Sequence, residues 1–289
     1  MRVCRLAGLL LIALLLTRTA LAQSLPGAAD RFFLTSDGVR LHYLEAGPEK
    51  AHTLIFIPGW TMPAWIWAEQ IAAFDRTYHV IAFDPRGQGE SAIANSGYEP
   101  VRRGQDIADL IAHVGGAPVV LVGWSLGVLD TLAYIHTHGD RAIAGLVLVD
   151  NSVGEEPAPR PVRPRRPGRP VPRPVFMENF VRTMFRTPQS STWLDRLTEA
   201  ALRTPDWAAR ELLEYPVPRS YWREAIYSTD KPVLYVVRPG LSGQAGNLER
   251  NRPDTESVVF TNAGHALFID QAARFDALMG SFIRQRVWH

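Results

Sequence analysis

Short runs of β-type residues recur along the chain, and most are separated by stretches with the 3.6-residue period of an amphipathic helix. Arg31 to Leu34, Arg40 to Glu45 and Thr53 to Ile57 read as strands, the first two paired antiparallel. Val80 to Asp84, Val119 to Gly123, Leu146 to Asp150, Val233 to Val237 and Ser257 to Thr261 follow. Several are apolar without a break, Val119-Val120-Leu121-Val122 among them, which is the pattern of a strand covered on both faces. Helical spacing occupies Trp65 to Phe74, Arg103 to His113, Leu126 to His136 and Leu267 to Arg284. This alternation predicts a mostly parallel sheet in an α/β fold.

The alternation breaks once. Pro157 to Pro174 holds eight prolines and six arginines in eighteen residues. A stretch of that composition favours extended, solvated backbone over helix or sheet, and a soluble linker is the expectation. Amphipathic patterns follow at Met177 to Phe185, Trp193 to Leu202 and Ala208 to Leu213, and the sheet pattern resumes at Lys231. Residues 152–230 therefore read as an inserted helical lid, with core segments 23–151 and 231–289 on either side.

Residues 1–22 read as an export signal. Arg2 and Arg5 give a positive start, Leu6 to Leu16 an apolar run, and Ala20-Leu21-Ala22 small residues for a peptidase. The run falls short of the roughly 18 to 20 residues that a membrane span needs. The expectation is a periplasmic or secreted protein with no stable span after cleavage. The only cysteine, Cys4, leaves with the signal, which excludes disulfide and cysteine-nucleophile chemistry from the rest. The formal charge of +2 also changes meaning, because Arg2, Arg5 and Arg18 lie in this segment. Without them 28 basic residues face 29 acidic ones, and nothing points to nucleic acid as a partner.

Gly123-Trp124-Ser125-Leu126-Gly127 stands where an apolar strand ends and a helix begins. A serine in that turn is presented at the carboxyl end of the sheet, and its small neighbours let the chain pass closely. Ile57-Pro58-Gly59-Trp60 also follows an apolar strand, so the backbone N–H groups of Trp60 and Leu126 could converge on one oxyanion. Gly264-His265 lies after the last strand and before the C-terminal helix. Serine needs a neutral imidazole to take its proton, and among the eight histidines His265 has the right placement.

Pro58-Gly59-Trp60, Asp84-Pro85-Arg86-Gly87-Gln88-Gly89-Glu90-Ser91, Gly123 to Gly127 and Gly264-His265 together resemble the α/β-hydrolase fold family, over about residues 30 to 287. The tryptophans resemble the carboxylesterase branch that includes the pimeloyl-ester esterases. The motif from Asp84 to Ser91 is more similar to the cofactor-free haloperoxidase and perhydrolase branch. The resemblance implies an eight-stranded sheet with the second strand antiparallel, a lid after strand six, and no cofactor. Two features depart from the family pattern. Pro58 stands where histidine is frequent, and the stretch from Lys231 to Leu248, where the triad acid is usual, has no aspartate or glutamate. Asp150, at the end of strand six, is the expected acid, as in some haloalkane dehalogenases of the same fold. Glu249 and Asp254 are its reserves, and Asp84 is expected to hold the turn of its own motif.

Serine in the nucleophile position argues against the dehalogenase and epoxide-hydrolase reactions, which use aspartate there. No metal-ligand spacing or dinucleotide fingerprint stands out. The expected activity is hydrolysis of a small carboxylic ester with an apolar acyl group, through a seryl acyl-enzyme of Ser125, His265 and Asp150. Perhydrolysis, thioester hydrolysis, lactone opening and C–C hydrolysis could use the same site, and an idle member that serves as a ligand-binding or interaction protein is the reading from another class. Trp60, Trp65, Trp67 and Trp124 are candidates for the acyl pocket, with core packing as the alternative.

Overall fold

The computed structural model describes residues 25–115, 118–158 and 171–289. The expected export segment and residues 159–170 of the proline-arginine run lie outside them. Eight strands form one sheet: β1 (Ala29–Leu34), β2 (Arg40–Ala46), β3 (Thr53–Ile57), β4 (His79–Asp84), β5 (Val119–Trp124), β6 (Ile143–Val149), β7 (Val233–Val237) and β8 (Thr255–Val259). Their order is β1-β2-β4-β3-β5-β6-β7-β8. β2 is antiparallel to both neighbours and every other pair is parallel. Every residue of β3, β4, β5 and β7 is buried, as their uninterrupted apolar runs require.

The helices are α1 (Ala68–Phe74), α2 (Pro100–His113), α3 (Leu126–His138), α4 (Arg173–Thr183), α5 (Ser191–Arg203), α6 (Asp206–Glu211), α7 (Arg219–Ser228), α8 (Ser242–Asn251), α9 (Leu267–Asp270) and α10 (Ala272–Phe282). Two apolar clusters fill the space between layers. One packs α2, α3, α7 and α8 on the sheet, and the other packs α1, α4, α5 and α10. The four helices α4 to α7 are inserted between β6 and β7.

Three expectations are corrected. The proline-rich run does not stay extended to Pro174, because α4 begins at Arg173 with Pro174 inside its first turn. Proline is tolerated there, since its missing N–H would have no partner in any case. The segment from Leu267 to Arg284 breaks at Gln271, whose backbone (φ −134°, ψ 51°) is not helical. Trp65 to Phe74 is a 3₁₀ turn, Ala64–Trp67, that runs into α1.

The loop after β4 is fixed by charge. The buried guanidinium of Arg86 donates Nε to Asp106 Oδ2 and Nη2 to Asp106 Oδ1, both at 2.6 Å, and Nη1 to the Ser96 carbonyl at 3.0 Å. Asp106 sits in α2, so the pair ties this loop to a helix of the core. Asp84 holds its own turn, accepting the Glu90 N–H at 2.8 Å and bonding the His42 ring at 2.7 Å. Removing one partner of a buried ion pair leaves the other charge uncompensated. Asp106→Ala is expected to destabilise the fold by about 3–5 kcal/mol, measured as a lower midpoint in chemical denaturation, whereas Arg102→Ala, at a more exposed position, costs less.

Candidate active site

Between β5 and α3 the chain turns on Ser125, with φ 53° and ψ −118°. A non-glycine residue held at positive φ costs on the order of 1–3 kcal/mol, so the surroundings have to enforce it. They do so by close approach. A Cβ on Gly127 would stand 2.4 Å from the Ile57 carbonyl oxygen, and one on Gly123 would stand 2.4 Å from that of Gly127. Glycine at 127 lets α3 start this near the end of β3, and glycine at 123 lets its first turn pass close to the end of β5.

The turn aims the Ser125 hydroxyl at His265. His265 Nε2 lies 2.8 Å from Ser125 Oγ, and His265 Nδ1 lies 2.6 Å from Asp150 Oδ2. Ser125, Asp150 and His265 follow β5, β6 and β8, so three strand ends of one sheet edge supply the relay. With Nδ1–H donating to the carboxylate, Nε2 is free to accept the hydroxyl proton. Asp150 is itself at positive φ, 52°, and its N–H donates to the Val236 carbonyl at 2.9 Å. Its side chain is buried, which alone would raise its pKa. The hydrogen bond to His265, followed by the charges of His265 and Arg238 and the Arg238 N–H, outweighs burial and holds the carboxyl below its ordinary range. The residue is therefore a carboxylate at neutral pH.

Around this relay the loop after β3 packs on Ser125, where a Cβ on Gly59 would come within 3.0 Å of Ser125 Cβ. Leu126 is the first residue of α3, where an N–H has no intrahelical acceptor. Among the described residues the Trp60 N–H has no protein acceptor either. Pro58 cannot brace this loop as a histidine would, and Gln88 does so instead. Its side chain accepts the Thr61 N–H at 2.7 Å and donates to the carbonyls of Gly59 (3.1 Å) and Met62 (3.2 Å). Thr61, at φ 61°, is held by these bonds.

Of the four tryptophans, two adjoin the relay: the Trp124 ring lies 5.2 Å from that of His265, and Trp60 follows Gly59 in the loop packed on Ser125. The Trp60 indole N–H donates to the Ala209 carbonyl in α6 at 2.6 Å, and its ring meets Phe180 of α4 edge-on at 5.1 Å. Trp67 and Trp124 are fully buried: Trp67 stacks on Phe268 at 3.9 Å, and Trp124 donates to the His265 carbonyl at 2.9 Å. Trp65 packs against Trp193 and under Arg196. The reserve acids lie apart from the relay, Glu249 bonded to Ser257 at 2.8 Å and Asp254 beside Arg286 at 3.4 Å. Sequence reasoning missed Gln88, Arg238 and Asp270. Asp270 accepts the N–H groups of Gly264 (2.6 Å), Arg186 (2.8 Å) and Thr187 (2.9 Å), joining the His265 loop to the inserted helices. Among the described residues no cluster of histidine and carboxylate suits a metal ion, and no helix is long and apolar enough to cross a membrane.

A non-heme haloperoxidase of Rhodococcus erythropolis is 34% identical over 41% of this chain and 43% of its own length. The chain thus spans about two fifths of the length of the curated haloperoxidases that it matches. An N-formylmaleamate deformylase of Pseudomonas putida is 26% identical over 86% of this chain and 95% of its own. An esterase of Rhodococcus sp. ECU1013 shares the fold, with a TM-score of 0.74 at 22% identity over 89% of this chain and 99% of that one. A family model described as "Alpha/beta hydrolase family" matches residues 54–278, more than half of the chain. With the eight-stranded sheet and the serine turn in place, the chain belongs to the alpha/beta hydrolase family.

Proposed function

We propose that this protein is a hydrolase that cleaves carboxylic esters through a seryl acyl-enzyme. The observation that carries the reading is the unbroken relay Ser125 Oγ–His265–Asp150, with links of 2.8 and 2.6 Å at the carboxyl edge of the sheet. Ser125 Oγ attacks the ester carbonyl carbon while His265 Nε2 takes its proton. The tetrahedral oxyanion lies against the free N–H groups of Trp60 and Leu126, and Asp150 stabilises the imidazolium. Collapse expels the alcohol, which leaves with the proton from His265. Water then attacks the acyl-enzyme by the same route, releasing the acid and restoring the serine. No cofactor takes part in these steps.

The loop packed on Ser125 leads into Trp60, whose ring meets Phe180 of the inserted helices, and apolar side chains there favour substrates with apolar acyl groups. On the same reading residues 152–230 form a lid over the site, and the chain is exported with cleavage after Ala22. An intact mass beginning at Gln23, from periplasm or culture fluid, would support the export reading. A second reading has hydrogen peroxide replace water at the acyl-enzyme, giving a peracid. A curated relative named a bifunctional esterase/perhydrolase, 29% identical over 41% of this chain, favours keeping it.

Ser125→Ala is expected to abolish hydrolysis of p-nitrophenyl esters and labelling by a fluorophosphonate probe, with thermal unfolding still cooperative. Turnover near the wild-type level would place the chemistry elsewhere. Asp150→Asn keeps the shape of the side chain but favours the wrong imidazole tautomer, so kcat falls by up to about 10⁴-fold. Glu249→Gln and Asp254→Asn are expected to change it little, and a larger loss from either would move the acid. Gln88→Ala frees the loop that carries Trp60, and kcat should drop by about 10²-fold with a smaller change in KM. An unchanged kcat would mean that Gln88 braces nothing the reaction uses.

A further inference from the structure

We infer that Arg238 is a positioning residue: it clamps both oxygens of Asp150 and keeps Oδ2 turned toward His265. The inference rests on the serine-hydrolase reading above. Arg238 directly follows β7, in the stretch where this chain carries no aspartate or glutamate. β6 and β7 are parallel neighbours with Val149 opposite Val236, so the residues that follow them emerge side by side. The Arg238 backbone N–H donates to Asp150 Oδ1 at 2.9 Å, and its Nε donates to Asp150 Oδ2 at 2.5 Å. Oδ2 is also the oxygen that accepts from His265 Nδ1.

An aspartate carboxylate held by a single imidazole can still rotate, because its terminal torsion is broad and nearly two-fold. Two donors from one arginine, one to each oxygen, remove that freedom. A charge effect accompanies the clamp. Arg238 and the imidazolium formed during catalysis share one carboxylate, so the guanidinium weakens the hold of Asp150 on the second cation. Position and charge therefore act in opposite directions on the reaction. The polar groups around Asp150 are His265 from the loop after β8, Arg238 after β7, and Tyr235 of β7, whose hydroxyl donates to the Asn151 carbonyl at 2.7 Å.

Two signatures follow. Loss of the side-chain half of the clamp, which leaves the backbone donor on Oδ1 but frees Oδ2 of its Nε–H, lowers kcat with little change in KM, since Asp150 does not touch substrate. Loss of the positive charge lets the imidazolium form more readily, so the acid limb of the kcat/KM profile moves to higher pH. Stability gives an independent readout. The pKa of Asp150 is depressed in the folded state, so its contribution to stability is present above the unfolded pKa and is lost as the pH falls through the folded value. Whatever Arg238 adds through Asp150 must vanish in the same acidic window.

The experiment compares wild type, Arg238→Ala and Arg238→Lys, each with Asp150 intact or changed to Asn. Hydrolysis of p-nitrophenyl acetate is followed from about pH 5 to about pH 9, and Tm is measured near pH 7 and near pH 3. Arg238→Ala should lower kcat by about tenfold and move the acid limb up by about half a pH unit or more. Arg238→Lys should restore the limb but not kcat, because its ammonium keeps the charge but does not reproduce the fixed Nε–H that Arg238 sets on Asp150 Oδ2. The drop in Tm caused by Arg238→Ala near pH 7 should shrink near pH 3 and disappear in the Asp150→Asn background. A profile that superimposes on wild type, or an equal drop in Tm without the Asp150 carboxylate, overturns the inference. If wild type itself shows no turnover while the coupling in Tm persists, the hydrolase reading fails and the clamp is supported.

Discussion

A Cβ at position 127 would stand 2.4 Å from the carbonyl oxygen of Ile57, and that closeness of α3 to the end of β3 governs the site. It brings the first residue of the helix, with its unpaired N–H, beside the loop that carries Trp60. It also leaves Ser125 no room for an ordinary turn, and the residue is held at φ 53°. The strain is supported by the sheet, since the Ser125 N–H donates to the Val149 carbonyl at 2.9 Å. The nucleophile candidate and the strand that bears Asp150 are thus joined through one backbone bond. Asn151 adds a second link, its amide donating to the Ser125 carbonyl at 2.8 Å.

Parallel strands explain how an acid can sit after β6 while the chain after β7 carries none. Neighbouring strand ends lie about 5 Å apart, so either can present a carboxylate to an imidazole that arrives from the far side. What changes is the electrostatic neighbourhood. With the acid after β6, the next strand end is free for a cation, and Arg238 takes that place. Burial of Asp150 is then offset by the hydrogen bond from His265 and by the Arg238 guanidinium, which keeps the carboxylate ionised where an unpartnered buried one would bind a proton.

The parts legible from sequence are those whose signal is local. β3, β4 and β5 are buried on both faces and read as continuous apolar runs, and the glycines around Ser125 mark a turn by their spacing. Helix α8 escaped because Ser242 to Asn251 contains two glycines and little apolar period. Helix α7 has only four buried positions among polar ones. Gln88 escaped for another reason. It braces Thr61 across 27 residues of chain, and nothing in a glutamine between two glycines announces a partner so distant. Trp67 and Trp124 show the opposite error, because large aromatic residues near a motif suggest a pocket as readily as a core. Only the fold, which stacks Trp67 on Phe268 under the sheet, separates the two.

The inserted helices and the histidine loop cannot be treated as independent bodies. The Ala266 N–H donates to the Met184 carbonyl at 3.0 Å, just beyond the end of α4, and a Cβ on Gly264 would stand 2.4 Å from that same oxygen. Asp270 binds N–H groups on both sides of this contact. A displacement that lifted the end of α4 from the core would therefore break the bonds that fix the residues flanking His265, and the relay with them. The α6 end is anchored as well: Thr204 Oγ1 donates to the Gly87 carbonyl at 2.7 Å, Arg203 Nη1 to the Ser91 carbonyl at 3.0 Å, the Trp60 indole to the Ala209 carbonyl at 2.6 Å, and Ala208 and Leu212 are fully buried. Both ends of the insertion are thus tied to loops that shape the candidate site, the α4 end to the His265 loop and the α6 end, through Gly87, to the loop whose Gln88 braces Thr61.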